Sequence, residues 1–202
     1  MKVIGLCGGS GSGKGSSCEV FRELGIPSID TDAVYREITA SPGDCIAALA
    51  DEFGSEIITE NGSLNRKRLA EIVFSGDDSA LRLARLNRIA HKFILDETRR
   101  RLAYYEQAGT PAAIVDAPVL FESGFDDECD ILICVIADRD VRIARIMARD
   151  GITREEAEKR ILSQLSDEEL ISRCDYVISN NYDISHLKIE VKHVLNKILD
   201  NN

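Results

Sequence analysis

An α/β fold built on a parallel sheet is what the sequence predicts, and three observations carry it. Short apolar runs recur at Val3–Cys7, Ser28–Asp30, Ala112–Val115, Ile131–Ala137 and Tyr176–Ser179, each of strand length. Amphipathic stretches of helical period separate them, the alternation expected when helices cover both faces of a parallel sheet. With 202 residues, 44% hydrophobic and 30% charged, the chain has the size and composition for one globular core plus an insertion.

The same composition excludes several functions. No apolar run approaches the ~18 residues of a membrane span, and residues 3 to 7 are already strand-like where a signal sequence would stand. A cytoplasmic protein without a membrane partner is expected. A net charge of −10 opposes general nucleic-acid binding, which needs a basic face. Cys7, Cys18, Cys45, Cys129, Cys134 and Cys174 are scattered, with no C-x-x-C pair for zinc or redox work. Buried free thiols in a reducing compartment are the expectation.

Two intervals are too long for simple crossovers. Residues 33–111 carry helix-like segments at Asp44–Phe53, Arg66–Phe74 and Ser79–Tyr105, with turn signals at Ser41-Pro42-Gly43 and Glu60-Asn61-Gly62, and read as an inserted helical subdomain. Residues 139–172 are rich in charge, with a helix start at Thr153 followed by Glu155 and Glu156, and read as a helical hairpin serving as a lid. The segments 1–32, 112–138 and 173–202 form the remaining core, with Asp200-Asn201-Asn202 expected to fray.

Directly after the first strand comes Gly8-Gly9-Ser10-Gly11-Ser12-Gly13-Lys14-Gly15-Ser16-Ser17, leading into the helix-like Cys18–Leu24. Gly8, Gly13 and Lys14 satisfy G-x-x-x-x-G-K. In such a strand–loop–helix unit, glycines let backbone N–H groups converge on a polyphosphate, the helix N-terminus adds positive potential and the lysine reaches the terminal phosphates. The expected fold is therefore a P-loop NTP hydrolase-like sheet of five parallel strands, with Gly8, Gly11, Ser12, Gly13, Lys14, Gly15 and Ser16 as nucleotide-binding residues. Gly15 departs from the motif, which usually has a Ser or Thr whose hydroxyl binds Mg²⁺. Gly13-Lys14-Gly15-Ser16 resembles the loop variant of adenylate-type kinases, which implies magnesium held largely through water, with Ser16 left to reach a phosphate oxygen.

Three acids close their strands. Asp30 and Asp32 flank Thr31, with Arg36 one helical turn further on, and Asp116 ends Ala112-Ala113-Ile114-Val115. Ligands of open parallel sheets gather at the carboxyl ends of the strands. There, one carboxylate can take a proton from an attacking hydroxyl while others orient hydrated Mg²⁺. Asp116 is a candidate for the metal role, and Asp30 and Asp32 are candidates for the base and a second metal-orienting carboxylate, although Asp32 suits a helix cap equally well. Arg82, Arg85, Arg88 and Lys92 occupy one helical face, and Arg139, Arg142, Arg145 and Arg149 repeat the same offsets. A solvated face is the ordinary meaning of such a stripe. Following the fourth strand, the second set would neutralise charge on a transferring phosphoryl group.

Taken in order, these pieces resemble the dephospho-coenzyme A kinase family. The resemblance rests on the loop, on Ile29-Asp30-Thr31-Asp32 with Arg36, on Gly62-x-Leu64-x-Arg66-x-x-Leu69, and on Asp116-Ala117-Pro118-Val119-Leu120-Phe121-Glu122. It continues through Arg145-x-x-x-Arg149-Asp150-Gly151, Arg160-Ile161, Gln164 and Asp175-Tyr176-Val177-Ile178-x-Asn180. It implies ATP-dependent phosphorylation of the ribose 3′-hydroxyl of dephospho-coenzyme A, with Mg²⁺ as cofactor. Asp32 is then the base, Lys14 and Arg145 act on the transferring phosphate, and Arg149 clamps the nucleotide. Asp32, Arg36, Arg66, Arg82 and Arg85 would serve the acceptor, in a chain expected to be a monomer. Departures from the family pattern are Gly15, Lys92 after His91, and Tyr182 after the Asn pair. A related kinase acting on a nucleoside monophosphate or sugar acid, or a nucleotide-binding protein with impaired turnover, remains an alternative. A GTPase is disfavoured because Asn196-Lys197-Ile198-Leu199 lacks the final Asp of the guanine motif.

Overall fold

A computed structural model describes residues 1–200, in two compact units: residues 1–30 with 102–200, and Thr31–Arg101. The first unit contains strands β1 (Lys2–Cys7), β2 (Ser28–Asp30), β3 (Ala112–Asp116), β4 (Ile131–Ile136) and β5 (Tyr176–Ser179). All pairings are parallel, in the order β2-β3-β1-β4-β5. The chain leaves β1 toward β2 and leaves β3 in the opposite direction toward β4. The crevice of an open α/β sheet therefore lies at the carboxyl ends of β1 and β3.

Helix α1 (Lys14–Glu23) follows the loop, and α9 (Ile184–Asp200) closes the chain. Both cover one sheet face: Val20 and Phe21 of α1 and Leu187, Val191 and Leu195 of α9 join Ile4, Leu6, Ile114, Ile133, Val135 and Ile178 in one buried cluster. Each such side chain contributes roughly 1.5–3 kcal/mol of burial, and together they hold the strand ends, and hence the loops, at fixed spacing. Asp200, expected to fray, is the last residue of α9, carried by the helix whose Ile198 is buried; Asn201 and Asn202 lie outside the described residues.

The second unit contains α2 (Thr31–Ile38), α3 (Asp44–Phe53), α4 (Arg66–Val73) and Ser79–Arg101 of α5 (Ser79–Gln107), with a 3-10 turn at Ser55–Ile57. Its own core gathers Ile46, Leu49, Ile57, Leu69 and Val73, with Leu86 and Phe93 packed against them. Residues 139–172 hold three helices, α6 (Arg139–Asp150), α7 (Arg154–Leu162) and α8 (Asp167–Ser172), where a two-helix hairpin was expected. The third arises because Ser166 and Glu169 form a capping box, as Thr153 and Glu156 do at α7. All six cysteines are free thiols; four are buried, and Cys129 and Cys174 are half-buried.

A charge cluster braces the second unit. Glu97 accepts both prongs of Arg100 at 2.7 Å and a further bond from Arg101 at 2.8 Å, while Arg101 also pairs with Glu37 of α2. The Arg100 hydrogen bonds, reinforced by Arg101, hold the Glu97 carboxyl at about 2, well below its ordinary value. A depressed folded-state value stabilises the protein above the unfolded carboxylate range and is lost as pH falls toward the folded value. Glu97→Gln is therefore expected to lower stability by about 1 kcal/mol at pH 7, solvent screening having reduced the full effect. Denaturant titrations should show that difference fade between pH 4.5 and about 2; a difference independent of pH would contradict the assignment.

Candidate active site

The phosphate loop takes its shape from glycines. Gly11 and Gly13 have φ of 78° and 100°, the left-handed region that side chains rarely occupy. A Cβ on Gly11 would stand 2.6 Å from the Arg142 carbonyl oxygen, and one on Gly13 would stand 2.0 Å from Asn180 Nδ2. Both glycines thus answer to conformation and space together. Gly13 also caps α1, so the N–H groups of the first turn are directed into the loop.

Lys14 opens α1, and its Nζ lies 2.5 Å from Asp116 Oδ1 at the end of β3. Both side chains are mostly withdrawn from water, at 17% and 16% exposure. Asp116 Oδ2 also accepts a weak bond from the Cys18 thiol at 3.6 Å, and burial pushes that thiol above its ordinary range. Strand register sets Asp30 beside Asp116, so two acidic side chains sit on neighbouring strand ends. Ser16 is exposed on α1, whereas the Ser12 hydroxyl is buried without a hydrogen-bond partner among the described residues.

Four side chains from distant segments hold the loop. Gln164 accepts from the Ser10 N–H at 2.8 Å and donates to the Ser10 hydroxyl at 3.2 Å. Arg142 Nε donates to the Ser10 carbonyl at 3.0 Å, and Asn180 donates to the Ser12 carbonyl at 2.8 Å. Arg145 reaches the Gly11 and Ser12 carbonyls at 3.4 Å, the long limit of a hydrogen bond. Beside the loop lies a cavity of about 510 Å³, bordered by Gly8, Gly9, Phe121, Glu122, Gln164 and Leu170.

The other expected site residues fall elsewhere. Arg149 is exposed and pairs with Asp150 at 2.7 Å; with Arg160 also bonded there, that carboxyl is held at about 2. Asp32, Arg36, Arg66, Arg82 and Arg85 belong to the second unit. Asp32 and Arg36 are exposed, one turn apart on α2, and therefore share a face. Arg66 donates to Thr39 at 2.6 Å and stacks over Tyr35, Arg82 bonds the Val73 carbonyl at 3.4 Å, and Arg85 pairs with Glu52 at 2.8 Å. The loop-holding contacts of Arg142, Gln164 and Asn180 were not read from sequence, although Arg142 was visible on the arginine stripe.

Gly15 has nothing within 4 Å of the position a Cβ would take, and its φ lies outside the left-handed region. Gly15→Ser is accordingly expected to fold as the wild type and to lower the Mg²⁺ concentration giving half-maximal activity by at least about threefold, through a restored hydroxyl oxygen. An unchanged magnesium titration would show that water-mediated binding already suffices.

The family model for dephospho-CoA kinase matches residues 2–186. Dephospho-CoA kinase of Syntrophotalea carbinolica is 37% identical over 98% of this chain and 93% of its own length. That of Corynebacterium efficiens is 37% identical over 98% of both. Among solved structures, TT1252 from Thermus thermophilus superposes with a TM-score of 0.73 at 31% identity, covering 98% of this chain and 97% of its own. A shikimate kinase from Acinetobacter baumannii, covering 100% of this chain and 95% of its own, shares the fold at TM-score 0.58 and 15% identity. The family match spans the loop, the strand-end acids and the arginines of α6 together, and the chain belongs to the dephospho-CoA kinase family.

Proposed function

We propose that this kinase transfers the γ-phosphoryl group of ATP to the ribose 3′-hydroxyl of dephospho-coenzyme A, and that the loop from Gly8 to Ser16, Asp32, Arg145 and Arg149 carry the reaction. The observation that carries this reading is Lys14, paired with Asp116 at the mouth of a glycine loop that ends in a helix N-terminus. That pair places a cation where a polyphosphate would enter and supplies the carboxylate that the cation leaves when phosphate arrives. Gly8, Gly11, Ser12, Gly13, Gly15 and Ser16 contribute backbone N–H groups or hydroxyls. Arg145, already against the loop, and Arg149 on the same helix would add charge to the terminal phosphates.

Asp30 and Asp116 present hard oxygen donors on adjacent strand ends. Mg²⁺ commonly takes one or two carboxylates together with phosphate oxygens and waters, so this donor set suits it, directly or through water. When bound, the ion would neutralise charge on the phosphates. Asp32 would accept the proton of the 3′-hydroxyl as its oxygen bonds to phosphorus and the bond to the β-phosphate oxygen breaks, releasing ADP. Residues 33–111, with Arg36, Arg66, Arg82 and Arg85, would bind the acceptor, and residues 139–172 would cover the reactants and exclude water.

A coupled ADP-release assay tests substrate and base together. Wild type is expected to turn over dephospho-coenzyme A well above adenosine, AMP and gluconate. Asp32→Asn should keep a near-native Tm, since Asp32 is exposed inside the first turn of α2, past the capping position the sequence suggested, and Asn is nearly isosteric; it should retain ATP binding while losing at least about 100-fold in turnover. Preference for another acceptor would overturn the substrate, and an active Asp32→Asn would remove Asp32 from the chemistry.

A further inference from the structure

Arg142 stands apart from the other arginines of α6. It is 4% exposed, in a chain whose other α6 arginines are half-buried or exposed. Its guanidinium is shared between two segments: Nε donates to the Ser10 carbonyl at 3.0 Å, and Nη1 donates to Asp167, in the first turn of α8, at 2.8 Å. Nη2 is buried without an acceptor among the described residues. It lies against Gly9, where a Cβ would be only 2.1 Å away. Withdrawing a guanidinium from water and leaving one nitrogen unpaired both cost free energy. Core packing alone would have been served by an apolar side chain.

Gly9 supplies an independent sign. Unlike Gly8, Gly11 and Gly13, it does not have a left-handed φ, so its backbone admits an alanine. What excludes a side chain at position 9 is the Arg142 guanidinium, with Gln164 Oε1 next at 3.3 Å. Glycine at this position thus makes room for the arginine. The loop also packs on the arginine's own backbone through Gly11.

We propose that Arg142 is a positioning residue. It holds Gly9 and Ser10 in the nucleotide-binding geometry before ATP arrives and, through Asp167, ties that geometry to the first turn of α8. The planar fork of arginine suits a bridge between two acceptors in a way that the point charge of lysine does not. The proposal rests on reading residues 8–16 as the nucleotide loop. A loop that must be ordered on binding weakens the ground-state and transition-state complexes alike, so its loss appears in KM and leaves kcat nearly unchanged.

The test is a cycle of wild type, Arg142→Ala, Gly9→Ala and the double variant, measured by ATP calorimetry and steady-state kinetics well below each Tm. Arg142→Ala is expected to raise Kd and KM for ATP at least about tenfold, with kcat within about threefold. Gly9→Ala should raise both at least about fivefold in the wild-type background and less than about twofold once Arg142 is gone. If Arg142→Ala lowers only Tm, or Gly9→Ala acts equally in both backgrounds, the residue is structural and the proposal falls. Should Arg142→Ala fail to fold, Gly9→Ala and Asp167→Ala decide it: a raised KM for ATP in both supports the proposal, and an unchanged value in either overturns it. A wild type that binds no ATP would instead refute the loop reading, a result distinct from equal binding by wild type and variants.

Discussion

Lys14 and Asp116 meet at 2.5 Å because β1 and β3 are adjacent parallel strands whose carboxyl ends finish level, with Leu6 paired to Asp116. Much of the remaining architecture serves that meeting. A parallel sheet needs crossovers, and the crossovers bring the helices that bury Ile4, Leu6, Ile114 and Ile133. The buried strands are stiff, so the loop after β1 and the acid after β3 are presented at a fixed separation. A partly buried ion pair is weak evidence of stability, because desolvation offsets much of the attraction. In the function proposed above, its value is to keep a cation at the crevice, ready to be taken over by an incoming polyphosphate.

The loop is supported from the far side by contacts that cross long stretches of chain. Arg142, Arg145, Gln164 and Asn180 all bond to loop backbone or to Ser10, and three of the four lie in the helical segment after β4. A movement of that segment cannot leave the loop unaffected, because the two share these hydrogen bonds. The second unit holds its own core and its own brace at Glu97, so substitutions there and in the loop should act on separable properties.

Much of this was legible in the sequence. β2, β5 and α3 begin and end where their apolar runs do, since turn-forming residues bound them sharply: Pro27 before β2, Asp175 before β5, Gly43 and Gly54 around α3. The loop and its lysine were legible because spacing alone determines which backbone amides converge. Helix α1 starts at Lys14 instead of the expected Cys18, because Gly13 caps it and packing carries Gly15-Ser16-Ser17, residues of modest propensity, into the helix. Ser166-x-x-Glu169 carries the capping-box signature in the sequence itself, and it starts the third helix of residues 139–172. Arg142 could be placed on a face by its offset from Arg145, but periodicity does not tell an arginine that faces water from one turned beneath a loop 132 residues away. Only the packed chain distinguishes them.

The most direct measurement is a crystal structure with a non-hydrolysable ATP analogue and Mg²⁺, read for one distance. If the loop is the catalytic nucleotide site, Lys14 Nζ will have moved from Asp116, now at 2.5 Å, to a β- or γ-phosphate oxygen. It will then stand within hydrogen-bond reach of that oxygen, about 3 Å, and Asp116 will face the metal or its waters. A nucleotide bound with the Lys14–Asp116 pair intact, or seated away from Gly8–Lys14, would contradict the account.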